Sequence, residues 1–174
     1  DPETEGEPSA PALAMANAPE ASTARRALLG KAWARALRLL LLGLALYAVA
    51  MWAYDKPYFR VWGILQRIGL CFGMAASAQL YLRPRGQWTA IAILLFGYWG
   101  LLAMGGGTAP WDNLASRSDA WMLGAHAYQF DAASGRGHDP EGLLSTLPAI
   151  ATSLIGLRAG AWLRTHGAAC LIIA

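Results

Sequence analysis

The sequence predicts an all-α, polytopic transmembrane helix bundle with four full spans, the start of a fifth and a long extracytoplasmic loop. Three observations carry that prediction. The 174 residues are 56% hydrophobic and only 14% charged, against about 25% charged in ordinary soluble domains. The apolar residues gather in runs near the length a helix needs to cross a bilayer, about 20 residues. The basic residues border those runs, largely on alternate sides. A net charge of +3 hides the split: five of the 11 acids lie in the first 20 residues, and from Ala21 onward 14 basic residues face six acids. Lys and Arg that flank apolar runs do not make the single basic patch of a nucleic-acid binder. The expected partner is therefore a lipid bilayer.

Residues 1–24, rich in Pro, Ala, Glu and Ser, read as a disordered or linker segment. They lack the basic start and apolar centre of a signal peptide. Residues 25–174 read as part of a multi-span membrane domain with spans at about 36–53, 61–82, 88–104 and 143–163. The chain opens on Asp1 and closes on the apolar Cys170-Leu171-Ile172-Ile173-Ala174, so it is expected to be an interior piece of a longer protein, with a fifth span starting near Gly167. Trp52, Tyr54, Tyr58, Tyr81, Trp88 and Trp162 sit near span ends, as interfacial belts require. Cys71 and Cys170 both lie in apolar runs and read as small hydrophobes.

Arg25, Arg26, Lys31, Arg35 and Arg38 precede the first span, Arg83 and Arg85 lie between the second and third, and Arg164 follows the fourth. The positive-inside rule puts these flanks in the cytoplasm and residues 105–142 outside. The 55–60 loop, expected outside, breaks the pattern by carrying Lys56 and Arg60 beside Asp55. The 38-residue outer segment holds Asp112, Asn113, Arg117, Asp119, His126, Tyr128, Asp131, Arg136, His138, Asp139 and Glu141, and loops of that length tend to be functional or disordered. Its amphipathic stretch 115–128 predicts a short helix at the outer face. Gly105-Gly106-Gly107 lacks the Lys-Ser/Thr of a phosphate loop and reads as a turn.

Two motifs stand out. In HDPEGLLSTLPAIAT, Asp139 is expected to N-cap the fourth span, with Pro140 at its first position and Glu141 beside the positive helix end. The cap does not require Glu141, which makes Glu141 the better functional candidate. In RVWGILQRIGL, Gln66 and Arg67 fall inside the second span. A charge at mid-span costs about 2.5–3.5 kcal/mol on insertion scales, so Arg67 is expected to pair with Asp139 or Glu141, or else to reach back to the interface. Gln66 is expected to hydrogen-bond nearby. Ser145 and Thr146 would contact a ligand hydroxyl or bond back to the helix backbone. His126, in GAHAY, is the strongest histidine candidate, ahead of His138 and His166; no histidine pair has zinc-ligand spacing, and no metal site is expected. Gly69/Gly73 and Gly156/Gly160 form GxxxG pairs that permit close helix approach.

In order, RVWGILQRIGLCF, LLFGYWGLLAM, WMLGAHAYQF and DPEGLLSTLPAIATSLIGLRAG resemble the membrane acyltransferases related to heparan-alpha-glucosaminide N-acetyltransferase, including their bacterial relatives. The resemblance spans about residues 31–164, with the DPEG block its most specific part. It implies transfer of acetyl from cytosolic acetyl-CoA to an amino sugar across the membrane, in a bacterial inner membrane for the bacterial relatives. It places Gln66, Arg67, His126, Asp139, Glu141, Ser145 and Thr146 on the acceptor side, and leaves Arg83 and Arg85 to attract cofactor phosphates or merely set topology. The family's proposed catalytic histidine precedes the matched region, with a nearby Trp-Asn-Gly; no such pattern occurs here, so the piece by itself is expected to be inactive. The alternatives are a transporter or flippase for a sugar or lipid-linked sugar, and a non-catalytic membrane subunit; assembly into a homo-oligomer is left open.

Overall fold

A computed structural model of the chain describes residues 19–55, 58–106, 109 and 111–167. Its elements are α1 (Pro19–Tyr54), α2 (Ile64–Tyr81), α3 (Pro84–Met104), α4 (Leu114–Leu123), a 3-10 turn (Gly124–His126), β1 (Gln129–Asp131), β2 (Arg136–His138) and α5 (Thr146–His166). Helix has begun by Pro19, so the end of the expected linker is already ordered into α1. Residues 1–18, Cys170 and the expected fifth span lie outside the described residues.

Two described helices, Ala21–Tyr54 and Pro84–Met104, are long and apolar enough to cross a membrane, and only 11% of the most apolar window of each is buried. A core helix of a soluble protein would bury that face; here Leu41, Leu46, Ile93, Phe96 and Trp99 are exposed. The expected second and fourth spans fall short of the same test. Gln66, Arg67 and Gln79 dilute α2, and Ser153, Arg158 and Arg164 dilute α5. The four-span count therefore does not follow from length and composition alone.

The long helices pack in the order α1, α2, α5, α3. Small residues set the spacing. A Cβ on Gly69 would come within 2.8 Å of the Ala36 carbonyl oxygen, and one on Gly73 within 3.0 Å of the Trp33 ring. The first GxxxG is thus the α1–α2 contact, where Trp33 Nε1 also donates to Ser77 Oγ at 3.1 Å. The second is not a contact: nothing among the described residues lies within 4 Å of a Cβ built on Gly156 or Gly160. Between α2, α3 and α5 lies a core of Cys71, Ala75, Ile91, Ile150, Ala151 and Leu154.

The predicted short helix in the outer segment is α4, extended by the 3-10 turn. Asn113 caps it by accepting from Ser116 N at 2.8 Å, and Trp121 and Met122 stay exposed. Gly106, at φ +92°, supplies the turn expected of the glycine run; Gly107 lies outside the described residues. The all-α expectation misses one small feature, the antiparallel β1–β2 hairpin, with Gln129 opposite His138 and Asp131 opposite Arg136. Asp131 closes its turn by accepting from Ala133 N and Ser134 Oγ, which hold its carboxyl below the ordinary value. Gly135 at φ +66° completes that turn.

The start of α5 is a correction. Asp139 and Pro140 do not open the helix; it begins at Thr146, after Ser145. Pro148 then falls in the first turn, where a missing N–H costs nothing because those donors have no helical partner. Residues 139–145 form a turn that stands at the N-terminal ends of α2 and α5.

Candidate functional site

The residues around the 139–146 turn make a polar cluster, and its centre is an arginine that sequence reasoning did not select. Arg60 Nη2 donates to Asp139 Oδ1 at 2.7 Å and to Glu141 Oε2 at 2.6 Å. Its Nη1 donates to the Tyr47 hydroxyl at 3.0 Å. The guanidinium lies 4.8 Å from the Tyr128 ring centroid and 5.3 Å from that of Tyr47, within cation–π range. Burial opposes the Arg60 charge, yet its bonds to Asp139 and Glu141 outweigh burial and hold it above its ordinary value. Asp139 is fully buried at its side chain and also accepts from Tyr128 N at 3.0 Å and Glu141 N at 3.1 Å. Three donors on one carboxylate explain why Asp139 is not free to cap a helix.

Arg67 is likewise corrected. It pairs with neither acid; Nη1 donates to the Pro140 carbonyl at 3.1 Å and Nη2 to the Ser145 carbonyl at 3.0 Å. It therefore bridges the turn and the start of α5 from one helix over. Trp62 Nε1 adds a bond to the Glu141 carbonyl at 2.6 Å. Gln66, expected to hydrogen-bond near Arg67, points instead toward α1. It is 1% exposed, neither Oε1 nor Nε2 has a partner among the described residues, and Gly43 makes room for it: a Cβ there would sit 2.7 Å from Oε1. Ser145 Oγ and Thr146 Oγ1 both donate back to the Gly142 carbonyl at 2.9 Å, the second of the two roles open to them. His126 is exposed, and its Nδ1 lies 2.6 Å from the Phe59 carbonyl oxygen, so it ties the 3-10 turn to the α1–α2 loop and stands outside the cluster.

From the other side, Asp119 of α4 clamps the same turn. Its Oδ1 accepts from Leu143 N at 3.0 Å, and its Oδ2 presses on the Cα of Gly142, where any Cβ would collide with it. The residue is 1% exposed. Burial is the main reason its carboxyl is pushed up to about 6, with the Asp139 charge adding to it against the Leu143 and Asp139 amides and His138. His138 is held in turn, its Nδ1 3.0 Å from Ser116 Oγ, beside Trp111.

Two hollows meet at the turn. One, of about 620 Å³, runs between α2 and α5 from Arg67 and Glu141 past Ile68, Phe72 and Ala149 to Gln79 and Leu157. The other, about 290 Å³, lies among Tyr98, Asn113, Asp119, His138, Asp139 and Ser145. Of the expected residues, Arg67, Asp139, Glu141, Ser145 and Thr146 come together; Gln66 and His126 do not join them. Arg60 and Asp119 join them unselected. Arg60 had left a trace, since it is a basic residue in a loop that the charge rule places outside; Asp119 had left none beyond its membership of a polar loop. Among the described residues no group of three or more His, Cys, Asp or Glu is placed to hold a metal ion. Comparison of the chain with protein-family models, with curated proteins and with solved structures finds no match.

Proposed function

We propose that this chain forms the central helices of a polytopic membrane N-acetyltransferase, moving acetyl from cytosolic acetyl-CoA to an amino sugar on the outer side. In this reading α1, α2, α3 and α5 all cross the membrane and residues 105–142 lie outside. The observation that carries it is the 139–146 turn, held by Arg60, Arg67, Trp62 and Asp119 at the head of the α2–α5 hollow. From Arg67 to Gln79 that hollow follows 12 residues of α2, about 18 Å at 1.5 Å per residue. A thin, flexible thioester arm entering from the cytoplasmic end would meet fixed polar groups near the outer end. Positioning of that kind accounts for much of the acceleration in bimolecular transfer. The sequence blocks RVWGILQRIGLCF and DPEGLLSTLPAIAT, which carry the resemblance, supply the two arginines and the turn itself.

The test is acetyl transfer by the complete protein in sealed proteoliposomes, with labelled acetyl-CoA on one side and an amino sugar on the other. Labelled N-acetyl sugar should appear on the acceptor side, and Glu141→Gln should lower its rate at least tenfold. Absence of transfer from any amino sugar would end the reading. The apolar wall of the hollow also suits an amphiphile such as a lipid-linked sugar, the transporter or flippase alternative. That reading predicts movement of the sugar without covalent change and without dependence on acetyl-CoA.

A further inference from the structure

We propose that the cavity bounded by Tyr98, Asn113, Asp119, His138, Asp139 and Ser145 seats the acceptor's amine, with Asp119 as the group that takes its proton. The inference rests on the transferase reading for its chemistry and on separate residues for its geometry. The cavity lies across the 139–146 turn from Arg60, between the end of α3, α4 and the turn. At about 290 Å³ it is near the lower bound for ligand pockets, roughly 300–1,000 Å³, so it suits one ring-sized ligand and excludes an extended chain. Its lining is mixed: Leu102, Ala115 and Pro140 give it apolar walls, and among them stand two carboxyl-bearing residues, an imidazole, an amide, a phenol and a hydroxyl.

The two carboxylates differ in what they have left to give. Asp139 spends its oxygens on Arg60, Tyr128 N and Glu141 N. Among the described residues, Asp119 accepts backbone N–H groups, from Leu143 and Asp139, and no cation. A carboxylate offers about four acceptor sites, so Asp119, which borders the cavity at 1% exposure, has acceptor sites beyond its two amides and would meet the amine through a narrow opening. The titratable groups that face it are Tyr98 from α3, His138 from β2 and Asp139 from the turn; the fixed cation Arg67 of α2 also stands near Tyr98, but bonds the Pro140 and Ser145 carbonyls and not Asp119. A carboxyl raised to about 6 by burial is matched to proton exchange with an amine near neutral pH, the condition for efficient general-base work. The step balances simply. The ammonium gives one proton to Asp119, leaving a neutral amine. The amine nitrogen forms the C–N bond to the acetyl carbonyl as the thioester C–S bond breaks. The second amine proton leaves with the thiolate as thiol, and Asp119 passes its own proton to the outer solvent.

The experiment uses the complete protein in proteoliposomes with two readouts. One is the pH profile of transfer; the other is equilibrium binding of labelled glucosamine, with N-acetylglucosamine and glucose as controls. Wild type should show an acidic limb near pH 6. Asp119→Asn should lose that limb, drop the rate by roughly 10²-fold or more and bind glucosamine at least tenfold more weakly, leaving the two neutral sugars unaffected; Asp119→Glu should restore part of each. Because Asp119 also clamps the turn, Ala115→Leu serves as a second variant. Ala115 lines the cavity, and the added side chain should block glucosamine without touching the clamp. Active wild type with Asp119→Asn unchanged in profile and binding would overturn the inference and leave the transferase reading standing. Wild type inactive toward every amino sugar would overturn the transferase reading; glucosamine binding lost in both variants would still support the cavity. Glucosamine binding retained in Ala115→Leu would overturn the cavity as the seat.

Discussion

Replacing Arg60 by Met removes the only cation bonded to Asp139 among the described residues, while the Asp139 side chain stays fully buried. Breaking a buried pair from one side costs about 3–5 kcal/mol, because the remaining charge is left without its partner. Arg60 keeps 17% of its side chain exposed, and Tyr128 N and Glu141 N remain to bond the carboxylate, so the lower end, about 3 kcal/mol, is the appropriate figure. At about 1.4 kcal/mol per tenfold change, that is roughly a hundredfold in the opening equilibrium of the 139–146 turn. Amide hydrogen exchange reads that equilibrium directly. The Tyr128 and Glu141 amides, both held by Asp139, should exchange roughly a hundredfold faster in Arg60→Met. Adding Asp139→Asn should recover most of the protection, since removing both charges avoids the orphaned one. If exchange at these amides is unchanged in Arg60→Met, or if the double variant is no better protected than the single one, the Arg60–Asp139 pair does not hold the turn.

Three further outcomes follow from the packing and the charges. Gly142→Ala places a methyl against the Asp119 carboxylate and should destabilise the segment between α3 and α5 by about 1–3 kcal/mol, seen as faster proteolysis within residues 111–145. Gly69→Ala should disturb α1–α2 packing, where a Cβ meets a backbone carbonyl at 2.8 Å, whereas Gly156→Ala meets no other element among the described residues and should be neutral or stabilising by up to about 1 kcal/mol; thermal unfolding in detergent compares the two. Asp119 is raised from 3.8 to about 6 in the folded chain, so the folded state holds its proton more tightly than the unfolded. Its contribution is fully present below about pH 4 and is lost as pH rises through about 6. Stability measured across pH 4–7 should therefore fall more steeply in wild type than in Asp119→Asn.

Long-range pairing, not local pattern, separates what the sequence made legible from what it did not. The apolar runs announced α1 and α3, and the Gly69/Gly73 spacing announced a close helix contact, because those signals are local and repeat at helical period. Asp139-Pro140 carried an equally plain local signal for a helix start, and tertiary bonding overrode it. Arg60, 79 residues away, claims the carboxylate, and the helix starts at the next place where proline is tolerated. Arg67 was rightly placed beside the turn but on its carbonyls, since its acids were already engaged. The Asp119 clamp rests on a Leu143 amide 24 residues away. The hairpin strands are three residues each, too short for a period-two pattern to register.

The 36 residues of α1 extend about 54 Å at 1.5 Å per residue, against a hydrocarbon layer of about 30 Å. With Tyr54 at one surface and the helix upright, about 24 Å of rod must project from the other. Arg38 and Arg35 then lie within about 6 Å of the edge of that layer, while Arg25 and Arg26 stand about 12–14 Å beyond it. The shaft is thus a stand-off post, and its basic residues sample two electrical environments. In that placement the pair near the layer meets the interface, and the pair at the tip stands in water, where salt screens its charge.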